Sequence, residues 1–173
     1  FKPNIKLTSL SKAFSLWAAR QEYPIAFFGD STTDGATTTG HIPSVPTPAG
    51  VQINESPNAY SKLLEDTIKR AIPSYPAGKR VIYNAGFDSQ SMSNDFAIDK
   101  FDSIFIDATA PFLNAKMIGF AWGVTDVINN NNPLSALYTY SRNLEALVLY
   151  SLANGRQPFL VSPVPMWVTG VNL

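Results

Sequence analysis

Ile25-Ala26-Phe27-Phe28-Gly29-Asp30-Ser31-Thr32-Thr33-Asp34-Gly35 is the stretch on which the reading of this chain turns. Four apolar residues in a row, closed by Gly-Asp, have the signature of a parallel strand buried on both faces. A Ser directly after such a strand, in a Gly-containing turn, can be held exposed at the sheet edge. The backbone N–H groups of that turn can then point at a developing oxyanion. The same residues also suit a polar strand-to-helix turn that caps the next element.

Working outward, the upstream segment Leu7 to Arg20 carries Leu10, Ala13, Phe14 and Trp17 at helical spacing. Downstream, Ala36 to Ser56 is rich in Thr, Pro and Gly. It reads either as a loose surface loop or as an ordered functional one, because long structureless connections are uncommon in compact domains. Ser56-Pro57 predicts a helix start, with Ser as N-cap and Pro at the first helical position. Tyr60, Leu63, Leu64, Thr67, Ile68 and Ala71 form its apolar face, and Pro73 ends it. Further strands are expected at Arg80–Tyr83, Lys116–Ala121 and Pro158–Val161, with a short helix over Asp99–Ala108. Asn132-Pro133 opens a long helix with Leu137, Leu144, Leu147, Val148 and Leu152 facing inward, and Asn154-Gly155 closes it.

Strands that alternate with helices imply a parallel sheet with helices on both faces, since parallel neighbours need crossover connections. Ligands of such sheets bind at the carboxyl ends of the strands. Three polar segments come directly after those ends: Gly29-Asp30-Ser31, Asn84-Ala85-Gly86 and Gly123-Val124-Thr125-Asp126. They are expected to converge.

Composition narrows the chemistry. The 173 residues suit one domain, and 45% hydrophobic with 15% charged residues suits a globular chain. Zero formal net charge gives no pointer to nucleic acid or to an anionic membrane surface. No apolar run approaches a membrane span and no signal peptide is visible. The chain opens at Phe1 rather than Met, so it is read as a processed product or an excised fragment. With no Cys, disulfides, thiol catalysis and thiolate metal sites are excluded. A single His, His41, excludes a multi-imidazole zinc site, and any intact Ser-His-Asp triad within the chain would have to use it.

The three polar segments, in this order and at these spacings, resemble the blocks of the SGNH (GDSL-like) hydrolase family. Phe28 to Gly35 is similar to the nucleophile block, and Asn84-Ala85-Gly86 to the second. Gly123-Val124-Thr125-Asp126 is similar to the third, with Thr125 where the family has Asn. The fourth block, Asp-x-x-His, is absent. The resemblance covers the chain from about Ile25. It implies a three-layer α/β/α sandwich on a flavodoxin-like parallel sheet, C-terminally incomplete. Residues 1–24 are then an N-terminal helical segment or adaptor, and residues 25–173 a hydrolase-like domain lacking its last part.

Residue by residue, the resemblance implies Ser31 as nucleophile, with the N–H groups of Ser31 and Gly86 in the oxyanion hole. Thr125 stands at the position of the third donor. A Thr hydroxyl can donate but is shorter than an amide. Losing one such donor costs about 10²–10³ in rate. Asp30 and Asp126 are read as bracing turns, and Asp34 as a turn or helix-start residue. The substrate side is assigned to Asp30, His41, Phe87 and Trp122, with Trp167 as a further aromatic flank. His41 lies ten residues after Ser31 and not at the family's base position, so it is read as a loop residue at the substrate rim.

The function implied is a serine esterase acting on small acyl (acetyl) esters of a carbohydrate, without metal or organic cofactor. Its catalytic Asp and His are expected on a downstream segment. A lipase, lysophospholipase or thioesterase is one alternative, and a non-catalytic glycan-binding or structural module on the same fold is another. Glycan-processing members of viral tails and cell surfaces suggest an extracellular or virion-associated location.

Overall fold

The computed structural model describes residues 10–47, 50–73, 75–76, 78–128 and 133–162. Four strands build the main sheet: β1 (Ile25–Gly29), β4 (Ile82–Gly86), β5 (Met117–Ala121) and β6 (Gln157–Leu160). Their order is β4-β1-β5-β6, and every neighbouring pair is parallel. The chain leaves β1 for β4 on one side, then crosses to β5 on the other. The order therefore reverses at β1, where a crevice opens in sheets of this kind.

Alternate residues of the strands feed two apolar cores, one on each face. Ala26, Phe28, Ala85, Ile118 and Phe120 join Phe101, Ile104 and Phe105 of α4 (Phe96–Phe101) and the π-helical turn Asp102–Ile106, with Leu147 of α6 (Pro133–Ala153). Ile25, Phe27, Ile82 and Met117 join Ala13 and Trp17 of α1 (Leu10–Ala18) and Ile68 of α3 (Tyr60–Ala71). The result is the expected three-layer α/β/α arrangement. Helix α1 shares a core with the sheet: Trp17 is buried, and its Nε1 donates to the Tyr23 carbonyl at 3.0 Å.

The segment after Gly35 is ordered by its own polar contacts. It carries a short antiparallel pair, β2 (Val45–Thr47) and β3 (Gly50–Gln52). The Asn54 N–H donates to Ser44 Oγ at 3.1 Å, and Asn58 Nδ2 donates to the Thr39 carbonyl. Ser56 does not cap α3. The N-cap is Ala59, with no side-chain bond, and Ser56 Oγ instead accepts from the Ile42 N–H at 3.2 Å.

Helix α3 also sits rotated from its expected face. Ser61, Glu65 and Ile68 are buried, while Leu63 and Leu64 are exposed. Glu65 explains the rotation. Its carboxylate accepts from the Val81 N–H at 3.0 Å and lies 3.1 Å from Lys69 Nζ and 3.3 Å from Arg80 Nε. A buried carboxylate so partnered is tolerated. Helix α6 is rolled for a similar reason. Leu147 faces inward, but Leu137 is exposed, and Asn143 is buried, donating to the Met92 carbonyl at 2.8 Å and to Asp95 Oδ1 at 2.6 Å. The expected stop at Gly155 is present: it adopts φ +70°, which glycine favours. Among the described residues, no helix is long and apolar enough to cross a membrane.

Candidate active site

β1 is buried along its length and delivers Asp30 and Ser31 to the carboxyl edge of the sheet. The short helix α2 (Ser31–Asp34) begins at once and ends at Gly35, whose φ of +87° turns the chain away. Helix α2 presses on the strand ends. A Cβ at Gly29 would lie 2.2 Å from Thr33 Oγ1 and 2.5 Å from the Ala121 carbonyl oxygen, so only glycine fits.

Asp30 joins the turns. Its side chain is fully buried. Oδ1 accepts from the Thr32 N–H at 3.1 Å. Oδ2 accepts from the N–H groups of Gly123 at 3.2 Å, Val124 at 2.9 Å and Thr125 at 3.3 Å. One carboxylate thus holds the turn after β1 to the start of α5 (Val124–Ile128). Desolvation raises its pKa above the ordinary carboxylate value, against the lowering effect of these N–H bonds. The expected bracing role fits this geometry, and a contact with substrate does not. Asp126 does the same for the next loop: Oδ2 accepts from the Met92 N–H at 3.1 Å and Oδ1 from the Ser93 N–H at 2.7 Å. Asp30 therefore ties the first polar segment to the third, and Asp126 ties the third to the loop that follows β4.

Ser31 is half-buried and lines a cleft of about 730 Å³. Its hydroxyl makes no hydrogen bond among the described residues. Thr32, Thr37 and Thr38 line the same cleft, and the Thr38 hydroxyl donates to the Gly35 carbonyl at 2.7 Å. The far walls come from α3, α5 and the residues after β6.

The other expected site residues divide. Thr125 is the second residue of α5 and is buried, and it does not line the cleft. Gly86 packs under α2, with its N–H donated to Asn84 Oδ1 at 2.9 Å. Phe87 and Trp122, expected at the mouth, are both 0% exposed and pack around Phe28, so neither ring is presented to a substrate. The correction has a simple cause: the large rings at these strand ends fill the core beneath the turns. Trp167 lies outside the described residues.

His41 is not at the rim of the cleft. Its Nε2 lies 2.9 Å from Oδ2 of the fully buried Asp34, which also accepts weakly from the Ser44 N–H at 3.4 Å. Burial raises the Asp34 pKa, and the His41 bond opposes that shift. The pair fastens the segment after Gly35 back onto α2. Asp34 is thus an anchor for a distant loop, more than the helix-start residue the sequence suggested. Replacing His41 by Ala should cost about 1–2 kcal/mol in urea unfolding, since it strips a buried carboxylate of its best partner. An unchanged midpoint would mean the pair is not formed in solution. Sequence reasoning missed Tyr60 as part of the cleft: it lines one wall, with its hydroxyl 3.3 Å from Thr33 Oγ1.

No protein-family model matches the sequence, and no curated protein matches it. Solved structures do. A protein of the G-D-S-L lipolytic family from Desulfitobacterium hafniense DCB-2 aligns at a TM-score of 0.54 and 21% identity, over 87% of this chain and 63% of that one. An acetyl xylan esterase, AlAXEase, aligns at a TM-score of 0.49 and 16% identity, over 80% of this chain and 57% of that one. The chain therefore spans less than two thirds of either protein. At such identity the first likeness speaks to architecture alone. Together with the strand order, it shows that the chain has the flavodoxin-like, three-layer α/β/α fold of that G-D-S-L-family protein.

Proposed function

We propose that this chain carries the nucleophile of a serine carboxylic-ester hydrolase, with Ser31 attacking the ester carbonyl. One observation carries the reading: Ser31 stands at the end of β1, where the strand order reverses, and opens onto the cleft. Attack by Ser31 Oγ would form a tetrahedral intermediate, with the Ser31 N–H as a donor to its oxyanion. Collapse of that intermediate would expel the alcohol, and water would then release the acid from the acyl-enzyme. Ser31 needs a base, and His41 is held by Asp34. His41 is the one His among the 173 residues, so the imidazole in this reading comes from a segment outside them. Acetyl groups on a carbohydrate, the substrate suggested by the sequence, would be recognised by acetate release from an acetylated polysaccharide. Release of long fatty acids would mark the lipase alternative.

A second reading, a non-catalytic glycan-binding module on the same fold, is favoured by the Gly86 N–H, which Asn84 already occupies. A fluorescent serine-directed phosphonate separates the two. The esterase reading expects covalent labelling of the complete protein, base-bearing segment included, that disappears in Ser31→Ala and persists in His41→Ala. Absence of labelling, or labelling that survives Ser31→Ala, would leave the binding module as the better account.

A further inference from the structure

The chemistry of the cleft walls goes further than the fold. Helix α3 presents Tyr60 and Leu63, three residues apart on one face, and α5 presents Val124 and Ile128, four apart. Ala121 at the end of β5 and Val161 after β6 complete the apolar lining. Leu63 is 50% exposed and Ile128 59% exposed, so both leave aliphatic surface to water inside a concavity. Among the described residues no Asp, Glu, Lys, Arg or His lines the cleft. Its one phenol, Tyr60, stays neutral, with its pKa raised by burial to about 12. A cleft of about 730 Å³ lies within the usual range of small-molecule sites and is far larger than an acetyl group. Two of the rings the sequence offered as a platform for a sugar, Phe87 and Trp122, are sealed in the core, and Tyr60 is the aromatic residue in the described lining.

We infer that the acyl half of the substrate is an uncharged aliphatic chain longer than acetyl, lying between α3 and α5. This rests on the reading of Ser31 as the nucleophile. The wall formed by Val124 and Ile128 runs for one helical turn, about 6 Å. That length suits a chain of roughly four to six carbons at ordinary bond lengths. Each methylene buried there should raise kcat/KM by roughly two- to fourfold, because the chain stays buried in the transition state.

The test uses the complete protein, base-bearing segment included, with 4-nitrophenyl acetate, 4-nitrophenyl hexanoate and the 4-nitrophenyl hemiester of succinate. The hexanoate is expected to exceed the acetate in kcat/KM by at least about tenfold, and the succinate hemiester, which ends in a carboxylate, to fall below the hexanoate by a similar factor. In Leu63→Asp and in Ile128→Asp, both exposed positions, the hexanoate-to-acetate ratio should drop by about tenfold or more. A ratio at or below one in the unaltered chain, or a ratio untouched by both substitutions, overturns the inference. Calorimetric titration of Ser31→Ala with 2-octanone and with acetone separates this inference from the reading beneath it. Octanone binding that weakens in Ser31→Ala/Ile128→Asp supports an aliphatic cleft even if no ester is hydrolysed, in which case only the catalytic reading fails. No preference for octanone over acetone removes the aliphatic cleft.

Discussion

Asp30→Ala should unfold this protein or remove about 4 kcal/mol or more of its stability. The side chain is fully buried and its two oxygens serve four backbone N–H groups, those of Thr32, Gly123, Val124 and Thr125. Alanine would leave all four without that acceptor, and a buried donor without a partner costs about 1–3 kcal/mol. The terms share one site and do not simply add. Asp30→Asn keeps one oxygen, which can serve the donors at the start of α5, while its amide meets the Thr32 N–H. A loss of about 2 kcal/mol is expected.

The pH dependence of that loss has a defined sign. Desolvation raises the folded-state pKa of Asp30 above 3.8, so the folded protein holds this proton more tightly than the unfolded chain does. Its contribution is fully present below about pH 4 and declines as pH rises through the folded value. The deficit of Asp30→Asn in urea unfolding should therefore be larger near pH 4 than near pH 7. A deficit that grows toward neutral pH would show that the N–H bonds outweigh burial.

Gly86→Ala is the second large effect. A Cβ at this position would lie 2.1 Å from Asp34 N, 2.5 Å from Thr33 C and 2.6 Å from Asp34 Cα. These are backbone atoms of α2, so no side chain can swing aside. Either α2 lifts from β4 or the strand shifts, and both move Ser31. Overpacking a core ordinarily costs about 1–3 kcal/mol, and a backbone wall places this case at or above the top of that range. Gly78→Ala is the control. Gly78 has φ +78° with nothing within 4 Å of a built Cβ, so only conformational strain of about 1 kcal/mol is expected. Equal losses at the two positions, measured by chemical denaturation, would show that α2 does not rest on β4 as described.

Much of this architecture is legible in the linear chain. Ile25 to Phe28 is apolar at every position, as a strand covered on both faces requires. Helical segments between such runs make the sheet parallel, and parallel strands carry their polar turns to one edge. Those two facts place Ser31, because both depend on local pattern and on the geometry of crossovers.

What the tertiary structure alone decided lies in contacts between distant segments. Periodicity puts Leu63 and Ile68 on one broad apolar stripe of α3, yet Ile68 is buried and Leu63 opens onto the cleft, because Glu65 turns inward to meet Val81 and Arg80. Hydrophobicity places Phe87 and Trp122 at a mouth or in a core with equal ease, and only the packing around Phe28 settles the choice. His41 and Asp34 read separately as a rim residue and a turn residue until the fold brings them to 2.9 Å. Asp30 reads as a cap for its own turn, while three of its four donors lie more than ninety positions away. Local sequence determines backbone state and the edge where chemistry collects. Which polar group satisfies which is settled only when the buried charges find their partners, since an unpaired one costs too much to remain.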